Sequence, residues 1–397
     1  MELKIDAAKW RALRGAERLL EALGADEGLT RYVGGAVRDE LLDLPVSDVD
    51  LATRLRPEDV VERLESAKIR AVPTGIDHGT ITAVSNGHPF EITTLRRDVS
   101  TDGRRATVAF TDDWEEDAAR RDFTINALSA DPVTGHVYDY FGGKEDLLAR
   151  RVRFIGDPLE RIAEDHLRIL RFFRFHARFG QGEPDAPALA ACSLRANDLM
   201  ALSRERIADE LLKLLAVADP SPTVAVMLDH GILKPVLPEI SPGAIFQLKA
   251  LVAAERQAGI DADPLRRLAA LLPSDPKLAE SIAVRLKLSN KARKRLACAV
   301  DPGQPANARA VAYYVGVDCA VDRLLLAGDA SVAAEIAGWQ TPMLPISGGA
   351  LIKRGIPQGP VVAKTLQRIE RRWVESGFPS GSDFERIVAE ALASARS

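Results

Sequence analysis

Cysteine is scarce in this chain: Cys192, Cys298 and Cys319 are the only three in 397 residues, and they lie far apart with no paired spacing. That excludes a cysteine-rich zinc site and points to a reducing compartment, so a cytoplasmic location is expected. No uninterrupted apolar run approaches the length of a membrane span, and no membrane association is expected. The opening stretch MELKIDAAKWRALRGAERLLEALG carries charges throughout, with its apolar residues at helical spacing. It reads as an amphipathic helix rather than a signal peptide. Neither sign of charge dominates, since 53 Lys and Arg against 57 Asp and Glu leave a net charge of −4. The chain as a whole therefore lacks the basic field of a non-specific nucleic-acid binder. None of the six histidines stands at metal-ligand spacing, and they read as structural or surface residues.

What is present is an ordinary soluble composition, 46% apolar and 28% charged, in a chain long enough for two to four domains. Charge is segregated along it. Residues 281–300 (SIAVRLKLSNKARKRLACAV) hold six Lys or Arg and no acid, and IKRGIPQGPVVAKTLQRIERRW is similarly basic, whereas LLDLPVSDVD and TDDWEEDAA are acidic. Up to about residue 150 the pattern is mixed: RYVGG and SDVDLAT read as strands, AVRDELLD and RPEDVVERLESA as helices, and GTITAVSNGHPFEITTL as a hairpin about its Asn-Gly dipeptide. GHVYDYFGG adds one more strand. From DPLERIAEDHLRILRFFRFHARFG onward, apolar residues recur mostly every three or four positions, broken by Pro/Gly clusters. A small α+β head followed by a long helical part is the expected organisation, with no repeat of fixed period.

The stretch GGAVRDELLDLPVSDVDLAT carries the chemistry. On a strand, Asp48 and Asp50 project from one face, and two neighbouring carboxylates repel unless a cation lies between them. Mg²⁺ suits such a pair because it takes oxygen ligands and accepts phosphate as a co-ligand. The preceding Gly34 and Gly35 let backbone amides approach a phosphate at the start of a helix, and Arg38 adds a fixed cation. Glu91, on the second strand of the hairpin, is a candidate third carboxylate. An Asp-x-Asp alone also suits an exposed polar strand. A haloacid-dehalogenase-type nucleophile normally ends a fully apolar strand, and here a proline-containing loop precedes Asp48.

VGGAVRDELLDLPVSDVDLAT, RRDFTINAL, YDYFGGKEDL and EDHLRILRFFRF together resemble, in that order, the signature motifs of class II tRNA nucleotidyltransferases, the CCA-adding enzymes and their relatives the bacterial poly(A) polymerases. LSRERIADELLKLL and GGALIKRGIPQGPVVAKTLQRIERRW resemble neck and tail segments of the CCA-adding enzymes. The resemblance implies an α+β polymerase-β-like nucleotidyltransferase head at 1–150, a helical neck for base recognition at 151–215, a helical body at 216–300 and a helical tail for tRNA binding at 301–397. It implies that Asp48 and Asp50 hold Mg²⁺ and act with Glu91 in catalysis. Gly34, Gly35 and Arg38 would meet the triphosphate, with Arg121 on the nucleotide and Asp122 at the sugar. Asp165, Arg168, Arg171 and Arg174 would form the nucleotide-binding stripe of the neck. RRDVSTDGRRATVAFTDDWEEDAARRDF, low in apolar residues, reads as a mobile loop, and the family carries a flexible element there for the switch from C to A addition.

The base chemistry of that stripe comes from hydrogen-bonding inventories. Cytosine and adenine each present an amine donor beside a bare ring nitrogen, whereas uracil and guanine present a carbonyl beside an N–H. A carboxylate that accepts from the amine and a guanidinium that donates to the ring nitrogen select C and A without a template. The expected reaction is attack of an RNA 3′-hydroxyl on the α-phosphate of CTP or ATP with release of pyrophosphate. This chemistry requires no His–Cys or Ser–His nucleophile. Its partners are the tRNA 3′ end and the two nucleotides, with no stable protein partner. The basic segments KLSNKARKR and GIPQGP suit tRNA phosphates. Some family members carry a phosphohydrolase marked by a His-Asp dipeptide, which this sequence does not contain. Poly(A) polymerases and dedicated A-adding enzymes share the head motifs, and a net charge of −4 without a basic terminal extension weighs against the former. A catalytically silent RNA-binding protein on this scaffold would have no use for an intact Asp48/Asp50 pair.

Overall fold

In the computed structural model, residues 4–46, 48–102, 105–240, 243–301, 303 and 307–396 are described. They include nine strands: β1 (Thr30–Val33), β2 (Leu51–Thr53), β3 (Arg70–Gly75), β4 (Thr80–Ser85), β5 (His88–Thr94), β6 (Arg96–Asp102), β7 (Arg105–Phe110), β8 (Ser129–Ala130) and β9 (Val137–Tyr138). Seven form one sheet in the order β3-β4-β5-β2-β1-β8-β9, and β6 and β7 form a separate pair. β2 runs parallel to β5, with Leu51 beside Ile92, and the other described pairings are antiparallel. The parallel pair needs a crossover, which the Pro57–Ser66 helix begins with proline at its first turn. Asn86 and Gly87, both at positive φ, close the β4–β5 hairpin as the Asn-Gly dipeptide requires. Ile81, Ala83, Phe90 and Ile92 alternate into the core beneath it.

The chain divides into two compact units, residues 1–210 with 229–236, and residues 211–228 with 237–397. The first contains all nine strands; the described residues of the second contain helices and no strand. Aspartate followed by proline starts several helices. Asp157, Asp263 and Asp275 each accept two backbone N–H groups of the first turn, and the proline sits where no donor is needed.

Four sequence expectations change. The segment after β5 is not a loop, because β6 and β7 pair as an antiparallel hairpin from Arg96 opposite Phe110 to Asp102 opposite Arg105. Its Gly103 and Arg104 lie outside the described residues. Asp48 and Asp50 do not lie within a strand: β2 begins at Leu51, and the residues before it are tied to β1 by the Val33 N–H donating to the Asp50 carbonyl at 3.1 Å. The expected neck helix is two helices, Pro158–Glu164 and Arg168–Phe179. Asp165 lies in the break, with extended backbone (φ −151°, ψ 107°) and its side chain accepting the Leu167 N–H at 3.1 Å. Finally, Cys298 and Cys319 form a disulfide across 21 residues, joining the Asn290–Ala299 and Val317–Leu326 helices. The cysteine count therefore carries no argument about compartment, and Cys192 is the one free, buried cysteine among the described residues.

In the second unit a buried ion network replaces part of an apolar core. Asp322, fully buried, accepts from Arg266 Nε at 2.8 Å and Arg295 Nε at 2.7 Å, and Glu255 accepts from Arg266 Nη1 at 2.8 Å and Arg267 Nε at 2.9 Å. Arg295, in the basic stretch expected to face RNA, is thus held internally, while Lys291 and Lys294 of the same helix are at least partly open to solvent.

Candidate active site

The Arg168–Phe179 helix buries one face and leaves its arginines on the other. Ile169, Leu170, Phe172, Phe173, Phe175 and Phe179 enter the core. Phe123 packs among them, with ring centroids 5.1 Å from Phe175 and 5.0 Å from Phe154. Residues 122–124 run beside 153–155: the Phe123–Phe154 bridge, Thr124 N–H to Arg153 O at 3.1 Å and Ile155 N–H to Asp122 O at 3.2 Å hold them together. Side chains alternate along extended backbone, so burying Phe123 turns its neighbour Asp122 the other way, toward the arginines.

There lies a cavity of about 530 Å³ lined by Gly34, Gly35, Arg38, Arg121, Asp122, Asn126, Asp165, Leu167, Arg168, Arg171, Phe175 and Arg206. Eight of the twelve residues singled out from the sequence converge on it. The other four, Asp48, Asp50, Glu91 and Arg174, are not part of its lining. Arg174 instead donates to Glu210 at 2.6 Å with its guanidinium over the Phe175 ring, 4.5 Å from the centroid.

Gly34 has a φ of +70°, and a Cβ there would come within 2.9 Å of Arg121 Nη1. Glycine thus serves both the turn from β1 into the Gly35–Leu41 helix and the close seating of the arginine. Arg38 is nearly buried. Its Nε donates to Asp39 at 2.7 Å, its Nη1 donates to Asn126 Oδ1 at 2.5 Å, and it lies 4.1 Å over the Phe179 ring. Burial lowers its pKa, and Asp39 acts to restore it. The Asn126 amide in turn donates to Asp122 Oδ1 at 2.9 Å. Asn126 thus bridges the arginine of the glycine turn and the aspartate of RRD. The RRDFTINAL motif contains it, but its role appears only when both partners are in place.

Asp122 is the hub. It accepts the Phe123 N–H at 2.9 Å, the Asn126 amide, and Arg171 through Nε at 2.8 Å and Nη2 at 2.6 Å. Burial pushes its carboxyl up, but the Arg171 charge and these donors prevail and hold it below the usual carboxylate range. In the helix break, Asp165 Oδ2 accepts from Arg206 Nη2 at 2.7 Å. Arg168 is clamped by Glu164 and by the Arg161 carbonyl at 2.8 Å. Asp165 and Arg168 therefore have separate partners, both standing at the cavity wall. Arg206 was not singled out from the sequence.

The carboxylate pair stands in a different electrostatic setting. Asp50 is held above the ordinary carboxylate range by burial and then by the negative charges of Glu91 and Asp48, against a downward pull from Arg121. The β2–β5 register explains Glu91: Leu51 lies beside Ile92, so Glu91 comes next to Asp50. Among the described residues no three acidic, histidine or cysteine side chains converge as a ready-made metal site. Two carboxylates that repel each other suit a divalent cation whose remaining ligands come from water and phosphate, which is how Mg²⁺ is usually held.

Residues 30–153 match the family described as Poly A polymerase head domain, and residues 185–243 match Probable RNA and SrmB- binding site of polymerase A. The chain is 34% identical to CCA tRNA nucleotidyltransferase 1, mitochondrial, of Mus musculus, over 96% of this chain and 91% of that protein. It is also 34% identical to the CCA-adding enzyme of Limosilactobacillus fermentum, over 91% and 92% respectively. Among solved structures, the Bacillus stearothermophilus CCA-adding enzyme in complex with CTP superposes with a TM-score of 0.75 at 27% identity, over 96% of this chain and 97% of that one. The Thermotoga maritima CCA-adding enzyme complexed with tRNA_CCA shares the fold, with a TM-score of 0.72 at 21% identity over 99% of this chain and 100% of that one.

Proposed function

Because the chain belongs to the class II CCA-adding enzyme family, we propose that it completes tRNA 3′ ends, adding C, C and A from CTP and ATP without a nucleic-acid template. The observation that carries the assignment of residues is the single cavity on which the glycine turn, RRD and EDHLR converge. On this reading the nucleotide lies along its wall. The Gly34–Gly35 turn with Arg38 and Arg121 holds the triphosphate, Asp122 with Arg171 meets the sugar, and Asp165 with Arg168 meets the edge of the base. The four-part division keeps its place in the proposal, with the neck reading the base and the tail, which carries Lys364 and Arg368, holding tRNA.

Enzymes of this family use a divalent metal, and the repelling Asp48 and Asp50 carboxylates suit one. Asp48 and Asp50 would hold Mg²⁺, which when bound acidifies the attacking hydroxyl and neutralises the departing pyrophosphate. The 3′-oxygen of the RNA forms its bond to the α-phosphorus as the bond to the pyrophosphate oxygen breaks. Arg38 and Arg121 take up negative charge as the pyrophosphate leaves, and their fixed positions spare reorganisation at that moment. Glu91 sets the field around Asp50. No group other than the RNA hydroxyl is needed as a nucleophile.

Competition binding with Mg²⁺ and each of the four ribonucleoside triphosphates tests the site. CTP and ATP should bind at least about 100-fold more tightly than UTP and GTP, because the wrong edges leave buried donors and acceptors unpaired. Equal affinities for all four would refute the base-reading assignment.

A further inference from the structure

The base-reading aspartate has a partner outside the four signature motifs, in the neck segment LSRERIADELLKLL. Asp165 lies in the break between two helices, where its backbone is extended. Two donors fix its side chain: the Leu167 N–H on Oδ1 at 3.1 Å and Arg206 Nη2 on Oδ2 at 2.7 Å. The second donor comes from the Arg204–Leu215 helix, 41 residues further on, and Arg206 itself lines the same cavity. Resting on the base-reading assignment above, we propose that Arg206 is a specificity-determining positioning residue, which locks the rotation of the Asp165 carboxylate so that it faces the amine of C or A.

The physical case turns on what an unlocked carboxylate does. A carboxylate accepts from any N–H within reach. Held rigid opposite the amine position, it meets a carbonyl oxygen when uracil or guanine enters, and that contact is repulsive. Free to rotate, it turns toward the ring N–H that uracil and guanine offer, and selection weakens. With one donor on each oxygen, Asp165 keeps a lone pair on both for an incoming base while its plane stays fixed. Arg168 cannot substitute as the lock, because Glu164 and the Arg161 carbonyl already engage it. Nor is the pair a major stabiliser: its side chains are 34% and 30% exposed, and pairs this open to water add little to the fold. An ion pair of small structural value at the wall of the binding cavity is better explained by orientation.

The test is single-nucleotide incorporation on a tRNA transcript lacking its 3′ CCA, and on one ending in CC. kcat and KM are measured for each nucleotide with the full-length wild type, Arg206→Gln, Arg206→Lys and Asp165→Asn. Arg206→Gln should lower the preference for CTP over UTP, and for ATP over GTP, by about 30-fold, through better use of the wrong nucleotide as well as poorer use of the right one. Arg206→Lys, which restores the charge but not the planar geometry, should recover part of that preference. A merely structural role would lower kcat/KM equally for all four nucleotides and leave the ratios at wild-type values, and that result overturns the proposal. Because the readout is a ratio within one protein preparation, partial misfolding does not mimic it. Asp165→Asn separates the two levels: if it keeps wild-type ratios, the base-reading assignment itself fails. If it loses them while Arg206→Gln keeps them, the assignment stands and the role of Arg206 fails.

Discussion

Replacing Asp122 with alanine probes the hub of the cavity. The carboxylate is buried and accepts from the Phe123 N–H, the Asn126 amide and two nitrogens of Arg171. Alanine leaves the Arg171 guanidinium facing Glu210, 3.7 Å away and already shared with Arg174. Breaking a buried pair from one side costs about 3–5 kcal/mol. Against a total stability of about 5–15 kcal/mol, that moves a urea midpoint on the order of 1–2 M. Urea-dependent hydrogen exchange read by mass spectrometry on peptides from 114–176 isolates the first unit from the second. In a double-mutant cycle, Asp122→Ala and Arg171→Ala should couple by about 2–3 kcal/mol, well above an exposed pair. The carboxyl is depressed in the folded protein, so its contribution is complete above the unfolded value near ~4 and is lost as pH falls through the folded value. Wild type and Asp122→Ala should therefore differ most at neutral pH and converge as the pH falls through the folded value. A coupling under about 0.5 kcal/mol, or a stability difference independent of pH, would refute the role of Asp122 as the hub.

Other substitutions test separate parts of the site and the fold. Gly34→Ala combines a φ of +70° with a Cβ 2.9 Å from Arg121 Nη1, so kcat/KM should fall about 100-fold with a stability loss of about 1–3 kcal/mol. Wild-type kinetics in that variant would contradict the need for glycine at the turn. Asp50→Asn should abolish incorporation, yet slightly raise the thermal stability of the metal-free protein, because it removes the like-charge repulsion with Glu91 and Asp48. Calorimetry showing a destabilised protein would count against that repulsion. Reducing the Cys298–Cys319 bridge, which closes a separation of 21 residues, should destabilise the second unit by up to about 3 kcal/mol, read as a lower melting temperature matched by Cys298→Ser.

What was legible in the sequence was whatever chemistry is local. The Asn86–Gly87 turn, the proline-started helix at Pro57 and the glycine turn before Arg38 each come from backbone rules that a few residues satisfy alone. Eight of the candidate residues meet at one cavity because three short motifs carry them. What was not legible depended on partners distant in sequence. Helical spacing ran straight through Asp165, since periodicity does not register a side chain that captures the Leu167 N–H and ends a helix. β6 and β7 were hidden because the segment is low in apolar residues, and their pairing shows only in the backbone register from Arg96 opposite Phe110 to Asp102 opposite Arg105. Asn126 and Arg206 are ordinary polar residues until Arg38 and Asp165 are placed against them. The disulfide needed two helices of the second unit to pack before its cysteines could meet.

The most direct measurement extends a tRNA transcript that lacks its 3′ CCA, with Mg²⁺ and CTP and ATP singly and together, resolving products to one nucleotide. CCA addition at this site predicts two additions with CTP alone, three with both nucleotides and then a stop, and no additions by Asp48→Ala/Asp50→Ala. A long ladder made from ATP alone, or three additions by the double variant, would contradict it.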